Sequence, residues 1–312
     1  MPSGLRFDVS DSVRIDRWKS NYVVRNVSGA LRLIWEENTT RYSLLFLLFL
    51  VFLAIFGPAI IPYEYNETVY NEGELMIASS PTLDHPLGTT TKGYDVLSRL
   101  IYGARPTVVA GLLGGTIIIS IGLTVGLVSG YVGGRTDDAL MRITDMAYSI
   151  PMIPFAIVLV AMFGVGFLTS IFIIGIVLWR ASARIIRAQV LQIKQREFIL
   201  AARATGASKP RIILKHIFPN VAPMAVLFFA LNIGYTIIIQ ASLAFIGVTT
   251  PFIPSWGIML RNANSAALMS TAWWWSLPPG IMLSLTVISA FMFSRGYERA
   301  SRSSERETIV EA

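Results

Sequence analysis

The chain has 312 residues, of which 54% are hydrophobic and only 14% are charged, and its formal net charge is +7. Soluble domains contain about 25% charged residues, so the composition argues against an ordinary soluble enzyme and indicates a membrane protein. The positive charge is then explained by loops on the cytoplasmic side rather than by binding to nucleic acid. The absence of cysteine excludes a disulfide framework and thiolate metal sites.

Long charge-free runs predict the membrane spans. Residues 107–131, 146–179 and 217–260 carry no charged side chain, and about 20 apolar residues are enough to cross about 30 Å of hydrocarbon. Gly164 and Gly166 divide the middle run into two spans. We therefore predict an all-α polytopic membrane protein with about six spans, at roughly 43–62, 107–131, 143–164, 167–187, 221–247 and 276–295.

The distribution of Lys and Arg predicts the orientation. Four segments hold 22 of the 26 basic residues: 1–42, 132–142, 180–219 and 295–312. Because cytoplasmic loops are enriched in cations, both termini are expected in the cytoplasm. The expected organisation is a cytoplasmic tail (1–42), a first transmembrane helix (43–62), an extracytoplasmic segment (63–106), a core transmembrane domain (107–295) and a cytoplasmic tail (296–312).

A glycine stripe marks one face of the second predicted span. Gly122, Gly126 and Gly130 recur every four residues, so they share a helical face that a neighbouring backbone can approach closely. Two interpretations remain open for this face: packing within the chain, and packing against a second subunit.

A basic segment separates the fourth and fifth predicted spans. Residues 197–207 are good helix formers, and Gly206 is expected to end that helix. Ser208 is expected to cap a second helix, and Pro219 to stop it before the chain re-enters the membrane. The result is a helix–turn–helix whose corner is lined by small residues. It suits either docking of another protein or an ordinary loop held by lipid headgroups. A DNA-reading role is disfavoured because both flanks enter the membrane.

This segment, REFILAARATGASKPRIILKHIFPNVAP, resembles the "EAA" loop of ATP-binding-cassette importer permeases. Ala201, Ala202 and Gly206 match the Glu-Ala-Ala and glycine positions of that loop. Leu200 stands where the family has its glutamate, and Glu197 lies one helical turn earlier. The resemblance implies a coupling loop at 193–219. In it, a coupling helix would contact an ATPase through Glu197, Leu200, Ala201, Ala202, Thr205, Gly206 and Ala207.

The resemblance extends from about residue 40 to 297. DHPLGTTTKGYDVLSRLIYGARPTVVAGL, SGYVGGRTDDALMRITDM and FIPSWGIML are similar to segments of the dipeptide/oligopeptide permease family, in particular its C-type subunit. Tyr94 departs from that family, which usually has Arg there. The resemblance implies import of peptides and four kinds of partner: a second homologous permease, two ATPase subunits, an extracytoplasmic substrate-binding protein and the lipid bilayer.

The chain lacks the motifs of an enzyme that hydrolyses ATP. It has no G-x-x-x-x-G-K-[ST] loop, so ATP and Mg²⁺ are expected only in partner subunits. His85 and His216 have no second ligand at metal spacing, so neither a metal nor another cofactor is expected in this chain. Asp145 is the nearest approach to an intramembrane proton carrier, and pairing with Arg142 is the simpler interpretation.

The predicted outer segment 248–275 holds a further candidate site. Prolines and Gly257 interrupt the helix there, and Trp256 suits a membrane interface. An aromatic belt is the simpler interpretation, and a gate or a contact with the binding protein is the alternative.

Three rival functions remain open at this stage. The same architecture serves importers of oligosaccharides or metal chelates. A secondary transporter or channel would work without an ATPase and would need charges within the spans. A membrane-anchored scaffold would lack a substrate-sized cavity.

Overall fold

The computed structural model describes residues 37–310, with side chains described as far as Arg299. The predicted tail 1–42 falls mostly outside this range. The described part is almost entirely helical, which confirms the predicted all-α class. Its elements are α1 (Asn38–Ile60), β1 (Tyr70–Asn71), β2 (Glu74–Leu75), α2 (Val96–Val132), α3 (Gly134–Ser149), α4 (Met152–Phe163), α5 (Phe167–Ile193), α6 (Glu197–Ala204), α7 (Lys209–Ile212), a π-helical turn (Ile213–Ile217), α8 (Phe218–Phe245), α9 (Trp256–Ser265) and α10 (Trp273–Val310).

Five helices of the described chain are long and apolar enough to cross a membrane, and a bent pair makes up to six. The five comprise α1, α2, α5, the continuous helix Lys209–Phe245 and the Trp273–Arg299 part of α10. Together with the bent pair of α3 and α4, they match the six predicted spans.

The third predicted span, 143–164, is not one straight helix. α3 and α4 meet at an angle of 93°, because Pro151 interrupts the helical hydrogen bonding and keeps the preceding residue extended. α4 has only 12 residues, so it reaches about 18 Å at about 1.5 Å per residue. A tight turn at Gly164, where φ is 91°, joins α4 to α5, as the two glycines predicted.

The second span begins at Val96, well before the predicted residue 107. Asp95 caps α2 by accepting hydrogen bonds from the Ser98 backbone N–H (2.7 Å) and hydroxyl (2.8 Å). Arg99 is tolerated in the following turn because its guanidinium donates to the Tyr65 carbonyl oxygen at 3.0 Å. Its charge also lies over the Tyr94 ring. The buried His85 ring pairs with the Asp95 carboxylate at 2.9 Å and ties the 61–95 segment to the start of α2.

The glycine stripe packs inside the chain, against α5. A Cβ at Gly122 would lie 2.7 Å from the Ser182 Cβ, and one at Gly126 would lie 2.8 Å from the Ala183 carbonyl oxygen. A Cβ at Gly130 would meet the Val190 side chain at 2.8 Å. The intramolecular interpretation of this stripe is therefore confirmed, and α2 and α5 form the closely packed centre of the bundle.

Two apolar clusters lie at opposite ends of this centre. One joins α1, α2, α9 and α10 around the fully buried Trp256 and Trp275. The other joins α2, α5 and residues 199–221 around Ile186, Ile199 and Ile217. The second cluster fixes the basic segment to the membrane helices.

Candidate functional site

The basic segment forms a helical hairpin, defined here as residues 194–220. Its first helix, α6, is closed by two hydrogen bonds at its C-terminal end: Gly206 N–H to the Arg203 carbonyl (3.0 Å) and Ala207 N–H to the Ala202 carbonyl (3.1 Å). This is the Schellman arrangement, and it needs a residue with positive φ. Gly206 has φ of 78°, so the predicted glycine stop is confirmed.

The second helix of the hairpin does not stop at Pro219, and that prediction is wrong. α7, the π-helical turn and α8 are one continuous helix from Lys209 to Phe245. Pro219 is tolerated because it lies in the first turn of α8, where the five-residue π turn has already changed the hydrogen-bond register. Ser208 precedes α7 but its side chain makes no capping hydrogen bond. The hairpin is thus rigidly continuous with the fifth span.

Buried isoleucines anchor the hairpin. Ile199 and Ile217 are fully buried and Ile212 nearly so, packed with Ile193 and Val190 of α5. Ala202 and Ala207 are half-buried against the same cluster. Because α6 turns Ile199 and Ala202 inward, its opposite side faces outward.

Cations surround one aromatic ring beneath the hairpin. The Lys194 ammonium lies 5.8 Å and the Arg203 guanidinium 5.2 Å from the centre of the Tyr131 ring. Burial lowers the pKa of Lys194, the nearby Arg203 charge lowers it further, and Asp137 opposes both. The two cations therefore repel each other, and the ring face of Tyr131 offsets part of that repulsion.

The outward side of the hairpin carries small or flexible, mostly apolar side chains among exposed basic residues such as Arg203 and Lys209. Leu200 is 52% exposed and Leu214 is 67% exposed. We call the following set the exposed hairpin surface: Leu200, Ala201, Ala204, Thr205, Gly206 and Leu214. A Cβ at Gly206 would meet nothing within 4 Å, so the corner itself is open to a close approach.

A groove runs beside this surface. It has a volume of about 550 Å³ and a largely polar lining. It is bounded by Gln189, Ile193, Gln195, Arg196, Glu197, Phe198 and Asn220. Glu197, the first residue of α6, therefore lines the groove one helical turn before Leu200. Sequence reasoning did not find this groove, because it arises where α5, α6 and α8 converge.

Trp256 and Gly257 lie at the other end of the bundle, at the start of α9. The Trp256 side chain is fully buried and its indole N–H donates to the Leu100 carbonyl at 2.9 Å. A Cβ at Gly257 would lie 2.7 Å from the Ala241 carbonyl oxygen. Neither residue offers a surface for direct contact with another protein in this conformation, nor does Trp256 form an exposed aromatic belt. A gating role for them stays a prediction.

Asp145 pairs with Arg184 of α5 and not with Arg142, its predicted partner. A second ion pair joins Asp137 and Arg187 at 2.6 Å. Both pairs hold the amphipathic helix α3 across α5. No local sequence pattern signals these two pairs, since the partners are far apart in the chain.

Comparison with known proteins shows the family to which the chain belongs. The family described as binding-protein-dependent transport system inner membrane component matches residues 122–303, which is more than half of the chain and includes the hairpin. The chain belongs to this family. A further family, the N-terminal transmembrane domain of oligopeptide transport permease C, matches residues 41–76 of this inner membrane component.

Relatives of this inner membrane component include three named permeases. The oligopeptide transport system permease protein OppC of Haemophilus influenzae is 34% identical over 82% of this chain and 84% of its own length. The dipeptide transport system permease protein DppC of Bacillus subtilis is 34% identical over 87% and 83%. The glutathione transport system permease protein GsiD of Pectobacterium atrosepticum is 34% identical over 89% and 93%. The chain is therefore a multi-pass permease subunit of an ATP-binding-cassette importer, as the sequence resemblance implied.

Proposed function

We propose that this permease forms half of a translocation pathway for di- or oligopeptides and that ATPase subunits drive it through the exposed hairpin surface. The second half would be a homologous permease. Two ATPase subunits would hold the ATP and Mg²⁺, and an extracytoplasmic binding protein would deliver the substrate. The relatives named for oligopeptide, dipeptide and glutathione transport support a peptide substrate. Oligosaccharides or metal chelates remain the alternative cargo.

The observation that carries the ATPase assignment is the two-sided character of α6. Its inward side is locked to α2 and α5 through Ile199, while Leu200 and Ala201 are exposed on the other side. Exposed apolar side chains that lie together mark a surface that another protein or a membrane covers. Small side chains at the corner allow that protein to come close.

The proposed orientation places the hairpin in the cytoplasm, together with both chain termini. The hairpin, residues 194–220, carries six of the 26 basic residues, which supports this side under the positive-inside rule. The 61–95 segment and α9 would then face the binding protein. The hairpin would be on the side where ATP is available.

Force transmission in this proposal follows from rigid packing. The hairpin continues into α8 without a break and is packed on α5 through Ile193 and Val190. A displacement of α6 by closing ATPase subunits would therefore move two membrane helices together. This is a rigid-body coupling that needs packed contact and no titrating group.

The test compares two Ala→Arg substitutions in the complete reconstituted complex. Ala201→Arg adds a long charged side chain to the exposed hairpin surface, and Ala139→Arg adds it to an exposed position of α3 as the control. We expect Ala201→Arg to reduce substrate-stimulated ATP hydrolysis and uptake at least about tenfold. Ala139→Arg should leave both near the wild-type level.

Unchanged stimulation and uptake in Ala201→Arg would refute the docking assignment. Peptide uptake by this chain alone, without ATPase subunits, would instead support a secondary transporter. Failure of the wild-type complex to import any peptide would refute the peptide assignment. Co-purification of the ATPase subunits with the wild-type and Ala201→Arg permeases would then still test the docking assignment.

A further inference from the structure

Arg180 lies halfway along α5, about 20 Å from either end of the helix at about 1.5 Å per residue. Its depth can be compared with neighbouring helices. Ser182, two residues on, packs against Gly122 of α2 and accepts a hydrogen bond from Asn232 of α8 at 3.0 Å. Both of those residues lie inside charge-free runs, 107–131 and 217–260, nine or more residues from either end. The Arg180 backbone is therefore level with apolar parts of α2 and α8.

The Arg180 guanidinium has no carboxylate partner among the residues that the structure describes. It donates to the Ala147 carbonyl oxygen at 2.5 Å and lies over the Tyr148 ring, 4.9 Å from its centre. Arg184, one turn further along α5, lies over the same ring at 4.1 Å and pairs with Asp145. The cluster thus contains two guanidinium groups and one carboxylate, and it carries one excess positive charge.

The cluster faces away from the packed centre of its own subunit. Ser182, Ala183 and Ile186 are the side of α5 that is buried against α2 and α8. Arg184 lies on the other side, with 46% of its side chain exposed. Ionised side chains at membrane depth are costly in lipid and normally face a bundle interior or a water-filled cavity. The two guanidinium groups therefore call for water or a polar partner on this side of α5, where the row above them, Phe172 and Ile176, is exposed and apolar.

We propose that Arg180, assisted by Arg184, binds the C-terminal carboxylate of the peptide as it passes through the membrane. The inference rests on the proposed peptide import. A guanidinium has five N–H donors in a planar fork that fits a carboxylate, and the contacts with Ala147 and Tyr148 use only part of them. Those contacts hold the side chain in place before the substrate arrives, so less conformational freedom is lost on binding.

Two other anions have the same chemistry: a lipid phosphate and a carboxylate of the second permease. The position of Arg180 beside charge-free parts of α2 and α8 argues against a headgroup phosphate. A peptide with a free C-terminus brings at least one carboxylate to every transport cycle, and the excess positive charge of the cluster favours its binding.

The experiment compares the uptake of two substrates by complexes that contain the wild-type permease or one of its variants. The complete complex, with saturating binding protein, imports one peptide either with a free C-terminal carboxylate or as its amide. The ratio of the two uptake rates in each permease variant cancels any preference of the binding protein. We expect Arg180→Gln to lower the carboxylate-to-amide ratio at least about fivefold and Arg180→Lys to lower it less.

Arg142→Gln is the control, since Arg142 is an exposed arginine of α3 that lies outside the proposed site, and it should leave the ratio unchanged. If the wild-type complex imports only the carboxylate form, the same variants are compared by the KM for that peptide, which should rise about fivefold in Arg180→Gln alone.

A ratio, or that KM, unchanged by Arg180→Gln would overturn the proposal. Equal loss of both peptides together with weaker co-purification of the second permease would assign the partner's carboxylate and also overturn it. Equal loss that depends on the anionic lipid content would assign a lipid phosphate and overturn it too. A wild-type complex that imports neither peptide would refute the proposed function itself.

Discussion

Ile199 and Leu200 are adjacent in the chain and have opposite environments. Ile199 is fully buried in the cluster that holds the hairpin to α5, whereas 52% of Leu200 is exposed. A short helix of eight residues gains little stability from its own hydrogen bonds. Its position therefore depends on the inward side chain, while its use by a partner depends on the outward one.

The two positions are expected to respond differently to truncation. Ile199→Ala should lower the free energy of unfolding by about 2–5 kcal/mol, because it removes a fully buried side chain and leaves a cavity. Leu200→Ala should leave stability nearly unchanged and weaken coupling to the ATPase. Thermal unfolding of the purified chain and ATPase stimulation in the complex measure the two effects. Equal destabilisation by both substitutions would contradict the inward and outward assignment of α6.

Residue-level features were predictable from sequence where one residue type decides the conformation. Gly206 was expected at the turn because a positive φ suits glycine, and its φ of 78° agrees. The partner of Asp145 was not predictable: Arg142 is near in sequence, but Arg184 is brought across from α5. The Arg180 cluster was missed for the same reason, although a cation directly after 34 uncharged residues was an available signal.

At the scale of elements, the contact between α2 and α5 organises the bundle. Glycine at three successive turns lets the two backbones approach, and a Cβ at Gly126 would lie 2.8 Å from both the Ala183 carbonyl oxygen and the Ile186 Cβ. The backbone carbonyl cannot move aside without displacing α5. The same contact also positions the hairpin, because Ile186 and Val190 belong to the apolar cluster that includes Ile199 and Ile217.

Adding one methyl group between α2 and α5 should therefore destabilise the fold. Gly126→Ala should lower the stability of the chain by about 1–3 kcal/mol through overpacking. Gly280→Ala in α10 is a matched control, since the nearest atom to its Cβ would be Leu260 Cδ2 at 3.9 Å. Thermal denaturation of both variants in detergent checks the difference. A Gly126→Ala variant as stable as Gly280→Ala would show that the helices are not in close contact there.

Element existence was easier to predict than element shape. The charge-free runs were sufficient for six spans because the bilayer demands a minimum apolar length. The 93° bend between α3 and α4 was signalled by Pro151 but its angle was not, since it depends on the ion pairs that hold α3 across α5. The predicted second span is shorter than α2 because the charge-free run begins only after Arg105. The structure pairs Arg99 with the Tyr65 carbonyl oxygen and keeps the helix intact.

At the scale of the whole molecule, the described chain is a membrane bundle with a helical hairpin at one end and a polar segment with α9 at the other. The hairpin is joined to α5 by packing and to α8 by an unbroken helix. Under the proposed function, a movement of α6 would therefore be transmitted to α5 and α8. The central claim is that an ATPase subunit applies that movement at the exposed hairpin surface.

Site-specific cross-linking in the assembled, transporting complex tests this claim most directly. A photoreactive side chain is introduced at position 201, or at position 139 as the control. We predict that the probe at 201 links to an ATPase subunit and that the probe at 139 does not. A complex that imports substrate while the probe at 201 links only to lipid, or to no ATPase, would contradict the claim.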